Sequence, residues 1–194
     1  MKIFVFDTET TFINKKEINN LDAQPKIIQF AGILELENKF IEEKRVDIMI
    51  NPKIPIPFDS SKVHHIYDVD VKNAPFIEEK IEEILSYINE SDVIIHNIEY
   101  DEDMIKIELK RLDMLYRYQP KQVICTMKTT VDFCAIKNER FKYPKLGELH
   151  KKLFDEYFIA HDALTDVEAT LRCFVNLVNK VLKVEEKQQI MTLF

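Results

Sequence analysis

"KIFVFDTETT", residues 2–11, sets an apolar run directly against two acids. Ile3, Phe4, Val5 and Phe6 are strong β-formers in a row, the pattern of a strand buried on both faces. Asp7 and Glu9 follow at its end, and residues two apart on an extended chain point the same way. The chain therefore aims two carboxylates at one spot beside its own core. Like charges so placed repel, and burying either one alone costs roughly several kcal/mol. Either a positive charge lies between them or the strand ends in open solvent.

Outward from this strand, "KIIQFAGILEL" (26–36) and "RVDIMI" (45–50) read as two more strands, the second alternating Val46, Ile48 and Ile50. "NPKIPIPFD" (51–59) carries three prolines and does not suit a regular element. "PFIEEKIEEILSYI" (75–88) repeats its apolar residues at helical spacing behind Pro75. "DVIIH" (92–96) is a short buried strand, and a helix is expected from Asp101 to Tyr116. "VICTM" (123–127) reads as a strand, and helices are expected over 145–154 and 163–182. Hairpin-connected strands followed by alternating units predict an α/β fold, a mixed sheet with helices on its faces. One domain over residues 1–182 and a short tail over 183–194 complete this reading. Ile190, Met191, Leu193 and Phe194 give the tail an apolar tip, suited either to peptide docking or to packing on the domain.

The chain has 194 residues, 46% apolar and 31% charged, as expected of a globular domain with a full core. No apolar run approaches the roughly 20 residues of a membrane span, and the first residues do not form a signal peptide. A membrane is therefore not an expected partner. Cys125, Cys134 and Cys173 suit neither a disulfide framework nor a zinc site, which favours reduced thiols in a cytoplasm. The only glycines are Gly32 and Gly147, so glycine-rich phosphate loops are excluded. A net charge of −7 argues against a protein that coats nucleic acid, though not against one that holds a chain end through divalent cations. In "KNERFKYPK" (137–145) four cations outweigh Glu139, with Phe141 and Tyr143 interleaved. That stretch is either a solvated loop or one that contacts a nucleic-acid strand.

Two further stretches put acids at the ends of apolar elements. "HNIEYD" (96–101) ends a buried strand and places Asp101 at the start of a helix, with Asp103 as its competitor. "HDALTD" (161–166) offers His161 in a loop and Asp166 in the first helical turn, with Asp162 as the N-cap. Converging carboxylates present hard oxygen ligands suited to Mg²⁺ or Mn²⁺. Two such ions about 3.5–4 Å apart can activate water and stabilise a departing phosphodiester oxygen.

Together, "FDTETT", "HNIEYD" and "HDALTD" resemble the three motifs of the DEDDh 3′→5′ exonucleases, the group that contains the proofreading subunit of bacterial DNA polymerase III. "NPKIPIPFDSSKVHHIY" (51–67) also resembles the segment that delivers a nucleotide-contacting Val-His pair in that family, here Val63 and His64, with His65 adjacent. The resemblance implies a ribonuclease H-like fold and removal of nucleotides from a single-stranded or frayed 3′ end by two divalent metal ions, Mg²⁺ or Mn²⁺. It implies that Asp7 touches both ions, that Glu9 and Asp166 hold the ion carrying the attacking water, and that Asp101 supports the site through the second ion or its water. By the same resemblance His161 is the general base, since an imidazole titrates near neutral pH. Thr10 approaches the terminal sugar, Val63, His64 and Tyr100 bracket the last base, and Thr8 and Asn97 complete the substrate-binding set. The family commonly has glycine after its paired threonines, whereas Phe12 follows Thr11 here. DNA is the leading substrate, with a DNA polymerase subunit as candidate partner. RNA trimming, for which resembling enzymes are commonly homodimers, is the alternative, and an inactive nucleic-acid-binding module is a third reading.

Overall fold

The computed structural model describes residues 2–12, 20–36, 41–136 and 142–191. Strands β1 (Lys2–Thr10), β2 (Ile27–Leu36) and β3 (Ile41–Met49) come first. Two short helices, α1 (Phe58–His64) and α2 (Asp68–Val71), precede α3 (Ile77–Ile88). Then follow β4 (Asp92–Ile95), α4 (Ile98–Arg111) and β5 (Gln122–Cys125). The chain continues through α5 (Thr126–Thr129), α6 (Val131–Cys134), α7 (Leu146–Phe154) and α8 (Ala163–Met191). The sheet order is β3-β2-β1-β4-β5, with β1 to β3 antiparallel and β4 and β5 parallel to β1. This is the mixed sheet expected from the sequence, with helices on both faces.

β1 is central, and its alternation splits the core. Phe4 and Phe6 join Phe30, Ile84, Ile88, Met104, Ile105 and Leu109 on the face covered by α3 and α4. Ile3 and Val5 join Ala31, Ile33, Ala163 and Val167 on the face covered by α8. Among the described residues, no helix is long and apolar enough to cross a membrane. All three cysteines are buried free thiols.

Several boundaries differ from the sequence reading: β3 starts at Ile41 rather than Arg45, and Thr126 and Met127 open α5 instead of ending a strand. The prolines keep residues 52–57 irregular, but Phe58 and Asp59 already open α1, a helix too short to show an apolar stripe. α4 begins at Ile98, a turn ahead of Asp101, with Ile98 and Tyr100 packed on the same core as Ile105 and Met104, and it ends at Arg111 rather than Tyr116. α8 continues past residue 182 to Met191, since "KVEEKQQ" contains no helix breaker. The side chains of 182–191 and all of 192–194, including the apolar tip, lie outside the described residues.

Gly32 shows how tightly the α3/α4 face is filled. A Cβ there would lie 2.3 Å from Phe4 Cζ and 2.6 Å from Phe4 Cε2. The Phe4 ring cannot swing away, because it is wholly buried and packs with Phe6, Phe30 and Tyr87 at centroid distances of 5.6 to 6.1 Å. Gly32→Ala should therefore destabilise by about 1–3 kcal/mol through overpacking. An unchanged urea midpoint would show that the ring does not sit against Gly32.

Candidate active site

The site grows from the same alternation. β1 outruns β4, whose pairing ends at Val5↔Ile94, so the last residues of β1 lie where helices can reach them. Asp7 and Glu9 share the odd-numbered face with Ile3 and Val5 and so meet the start of α8. Thr8 and Thr10 share the opposite face and meet the start of α4. The α8 terminus is fixed by two contacts. Asp162 Oδ1 accepts from Thr165 N–H (2.9 Å) and Thr165 Oγ1–H (2.8 Å), the expected N-cap. Ala163 N–H donates to Gln29 Oε1 at 3.3 Å, and Gln29 is held in turn by Asp47 at 2.9 Å.

Asp7, Glu9 and Asp166 each offer an oxygen within 4.8 Å of the others. Asp101 is not part of that group of three. Its Oδ1 accepts from Thr8 Oγ1–H (2.7 Å) and Thr8 N–H (3.2 Å) on the α4 side of the strand. Asp101 is nonetheless the buried carboxylate of its motif, the one bonded to β1 and acting on Asp7, while Asp103 is only half-buried.

Electrostatics follow from this crowding. Burial, then the charges of Asp166 and Asp101, raise the Glu9 carboxyl to about 8. Burial, then the charges of Asp101, Asp166 and Glu9, hold Asp7 well above the ordinary carboxylate range. Asp101 is raised to about 7 by burial, against the Thr8 hydrogen bonds. Asp166 is raised to about 6, again by burial, although the His161 N–H bonded to its Oδ2 at 3.0 Å favours the charged form. Asp166 Oδ1 is buried with no hydrogen-bond partner. An orphaned carboxylate oxygen among repelling acids is what a divalent cation with oxygen ligands would satisfy, so this donor set fits Mg²⁺ or Mn²⁺.

Beside the acids lies a cavity of about 210 Å³. Glu9, Thr8, Thr10, Asn97 and Tyr100 line one part, and Val63, His64, Ser60 and His161 the other. Every substrate-contacting residue expected from the sequence therefore borders one space, although Thr8 also holds Asp101. His64 is buried, its Nδ1 accepting from Ile66 N–H at 3.1 Å and its Nε2 without a partner. Burial, followed by the charge of His65, keeps its imidazole below the usual histidine range. His65 is instead exposed, in the left-handed position that ends α1.

The Tyr100 hydroxyl donates to Phe12 O at 2.8 Å and also bonds the Thr10 hydroxyl, itself 3.1 Å from the same carbonyl. Phe12, in the place where glycine is common, thus ties the two cavity-lining hydroxyls together through its backbone. His161 is exposed and left-handed (φ 74), an uncommon state for a residue with a side chain.

Sequence reasoning missed Ser60 and Gln29. The latter left only a faint signal, a lone amide inside the apolar run 27–34. It also missed His96, which is buried and holds Thr126 Oγ1 (2.9 Å) and Pro144 O (3.1 Å). Of the basic stretch 137–145, residues 137–141 lie outside the described residues. Lys142 pairs with Glu148 at 2.7 Å, and Tyr143 is exposed.

A ribonuclease H-like sheet with an acidic cluster at the end of its central strand defines a nuclease architecture. The chain belongs to the RNase_T exonuclease family, which it matches over residues 4–174. It is 28% identical over 180 residues to a PolC-type DNA polymerase III of Caldanaerobacter subterraneus subsp. tengcongensis, covering 93% of this chain and 12% of that protein. It is also 28% identical over 112 residues to the DNA polymerase III subunit epsilon of Rickettsia felis, covering 58% of this chain and 46% of that one. The chain thus spans less than half the length of either relative. Its fold matches the nuclease domain of 3′hExo, a DEDDh family member solved with rAMP bound, at a TM-score of 0.75 and 16% identity over 92% of both chains.

The raised carboxyl groups give the metal-free protein a distinctive pH dependence. Between the ordinary carboxylate range and about 8, the folded state holds protons on Glu9 and Asp101 that the unfolded chain has released. Stability contributed by these groups is therefore lost as pH rises through this window. Buried His96, lowered to about 4, acts oppositely at lower pH, so the informative range begins near the ordinary histidine value of about 6.5. From about pH 6.5 to 8.5 the metal-free melting temperature should fall. Mn²⁺ should raise it most at the alkaline end, releasing protons as it binds. A metal-free melting temperature that rises across this range would contradict the assignment.

Proposed function

We propose that this chain is a divalent-metal-dependent 3′→5′ exonuclease releasing nucleoside 5′-monophosphates from the 3′ end of DNA. The observation that carries this reading is the group Asp7, Glu9 and Asp166, within 4.8 Å of one another, beside a cavity bordered by His161 and the nucleotide-contacting residues. The names of the sequence relatives, both DNA polymerase III proteins, support DNA over RNA. They also support a role beside a polymerase in proofreading or repair.

In this mechanism Asp7, Glu9 and Asp166 would hold divalent metal, and Asp101, fixed by Thr8, would support a second ion or its water. When bound, the cations supply positive charge that offsets charge accumulating on the phosphate and favours ionisation of water. Thr10 borders the terminal sugar, while Val63, His64 and Tyr100 meet the terminal base. His161 accepts a proton from the attacking water. The bond between phosphorus and the 3′-oxygen breaks, leaving a 3′-hydroxyl on the shortened strand and a 5′-phosphate on the released nucleotide.

Single-stranded DNA, mismatched duplex and short RNA, each labelled at the 5′ end and incubated with Mg²⁺ or Mn²⁺, test the substrate class. The DNA substrates should shorten from the 3′ end, and faster digestion of RNA would overturn the choice of DNA.

Asp7→Ala and Glu9→Ala should abolish cleavage without loss of folding, and either variant retaining wild-type turnover would overturn the metal assignment. His161→Ala should keep Mn²⁺ binding but lose about 10²- to 10⁴-fold in turnover, as expected for a general base. If calorimetry showed that this variant no longer bound Mn²⁺, His161 would be a ligand instead.

A further inference from the structure

His161 lies on a segment with little to hold it. Residues 155–162 join α7 to α8 without regular structure, and Tyr157 and Ile159 are 80% and 87% exposed. At the far end His161 N–H is bonded to Asp166. At the near end the segment is gripped by residues that the reaction itself does not use.

Arg172, on the same helix as Asp166, donates to both carboxylate oxygens of Glu156, at 2.6 and 3.3 Å. It also donates to His150 Nε2 at 3.1 Å, and its guanidinium stacks 3.9 Å from the Phe154 ring. His150, buried on α7, must then accept at Nε2 and carry its proton on Nδ1, which donates to Glu156 O at 3.2 Å. The same imidazole packs between Phe154 and Phe158, with centroids 4.8 and 5.1 Å away. Glu156 is thus held by side chain and backbone at once, and Phe158 beyond it is pinned to the same ring.

We infer that Arg172, acting with His150 on Glu156, is a positioning residue that sets His161 beside the acidic cluster. Because Arg172 and Asp166 share one helix, the clamp references the segment to the same rigid body that carries a proposed metal ligand. The inference rests on the reading of His161 as the general base. Arginine is required because only its planar fork can reach both Glu156 oxygens and His150 together. The ion pair itself is half-exposed, and such pairs add little to global stability. Its loss should appear in geometry rather than in melting temperature.

The test compares Arg172→Met, Glu156→Gln and Arg172→Lys in the full chain, alone and combined with His161→Ala. Arg172→Met and Glu156→Gln should lower kcat about 10- to 100-fold, the scale of a small misplacement of a catalytic group. KM and Mn²⁺ binding should hold, and Arg172→Lys should recover only part of the loss. In the His161→Ala background Arg172→Met should cause no further decrease. Hydrogen exchange at the His161 amide should quicken in Arg172→Met, a readout independent of activity. Wild-type kcat in both Arg172→Met and Glu156→Gln would overturn the clamp, as would a full further loss in the His161→Ala background. His161→Ala retaining wild-type turnover would instead overturn the general-base reading on which the clamp depends.

Discussion

Repulsion among carboxylates at the end of β1 is the constraint that the rest of the molecule answers. Asp7, Glu9 and Asp166 share a space too small for three uncompensated charges, with Asp101 just across the strand. Burial first, and then this repulsion, disfavours the charged forms in the absence of a cation, hence the raised carboxyl groups. A fold selected for stability alone would not build this. The apolar run of β1, the Asp162 cap, the Gln29 contact and the Thr8 bonds to Asp101 all serve to hold mutually repelling groups in place.

One strand performs two tasks through its period of two. Even-numbered residues of β1 begin as core, in Phe4 and Phe6, and end as pocket, in Thr8 and Thr10. Odd-numbered residues begin as core in Ile3 and Val5 and end as acids. The change from packing to chemistry takes place within one strand, where β4 stops and β1 runs on paired with β2 only. The rigid core therefore reaches to within a residue of the site, which suits a reaction that depends on fixed geometry.

Much of this was legible in the sequence because it is local. The run Ile3–Phe6, the spacing of Asp7 and Glu9, and the motifs at 96–101 and 161–166 each declare an element and its terminal acid. The mixed sheet followed from the order of the elements. What remained hidden joins distant residues. Thr8 and Asp101 lie 93 positions apart and Gln29 and Ala163 lie 134 apart, and no periodicity reports such pairings. Asp101 stands outside the group of three, held by Thr8, yet its charge is the foremost of those that raise Asp7, a proximity that no local pattern reports. Helices α1 and α2 escaped notice because four to seven residues are too few to display an amphipathic stripe.

The most direct test of the central claim is anomalous diffraction from crystals of the protein soaked in Mn²⁺. The account predicts a manganese peak at coordination distance from carboxylate oxygens of Asp7, Glu9 and Asp166. Crystals with an ordered site and no peak there, or with manganese only elsewhere, would contradict it.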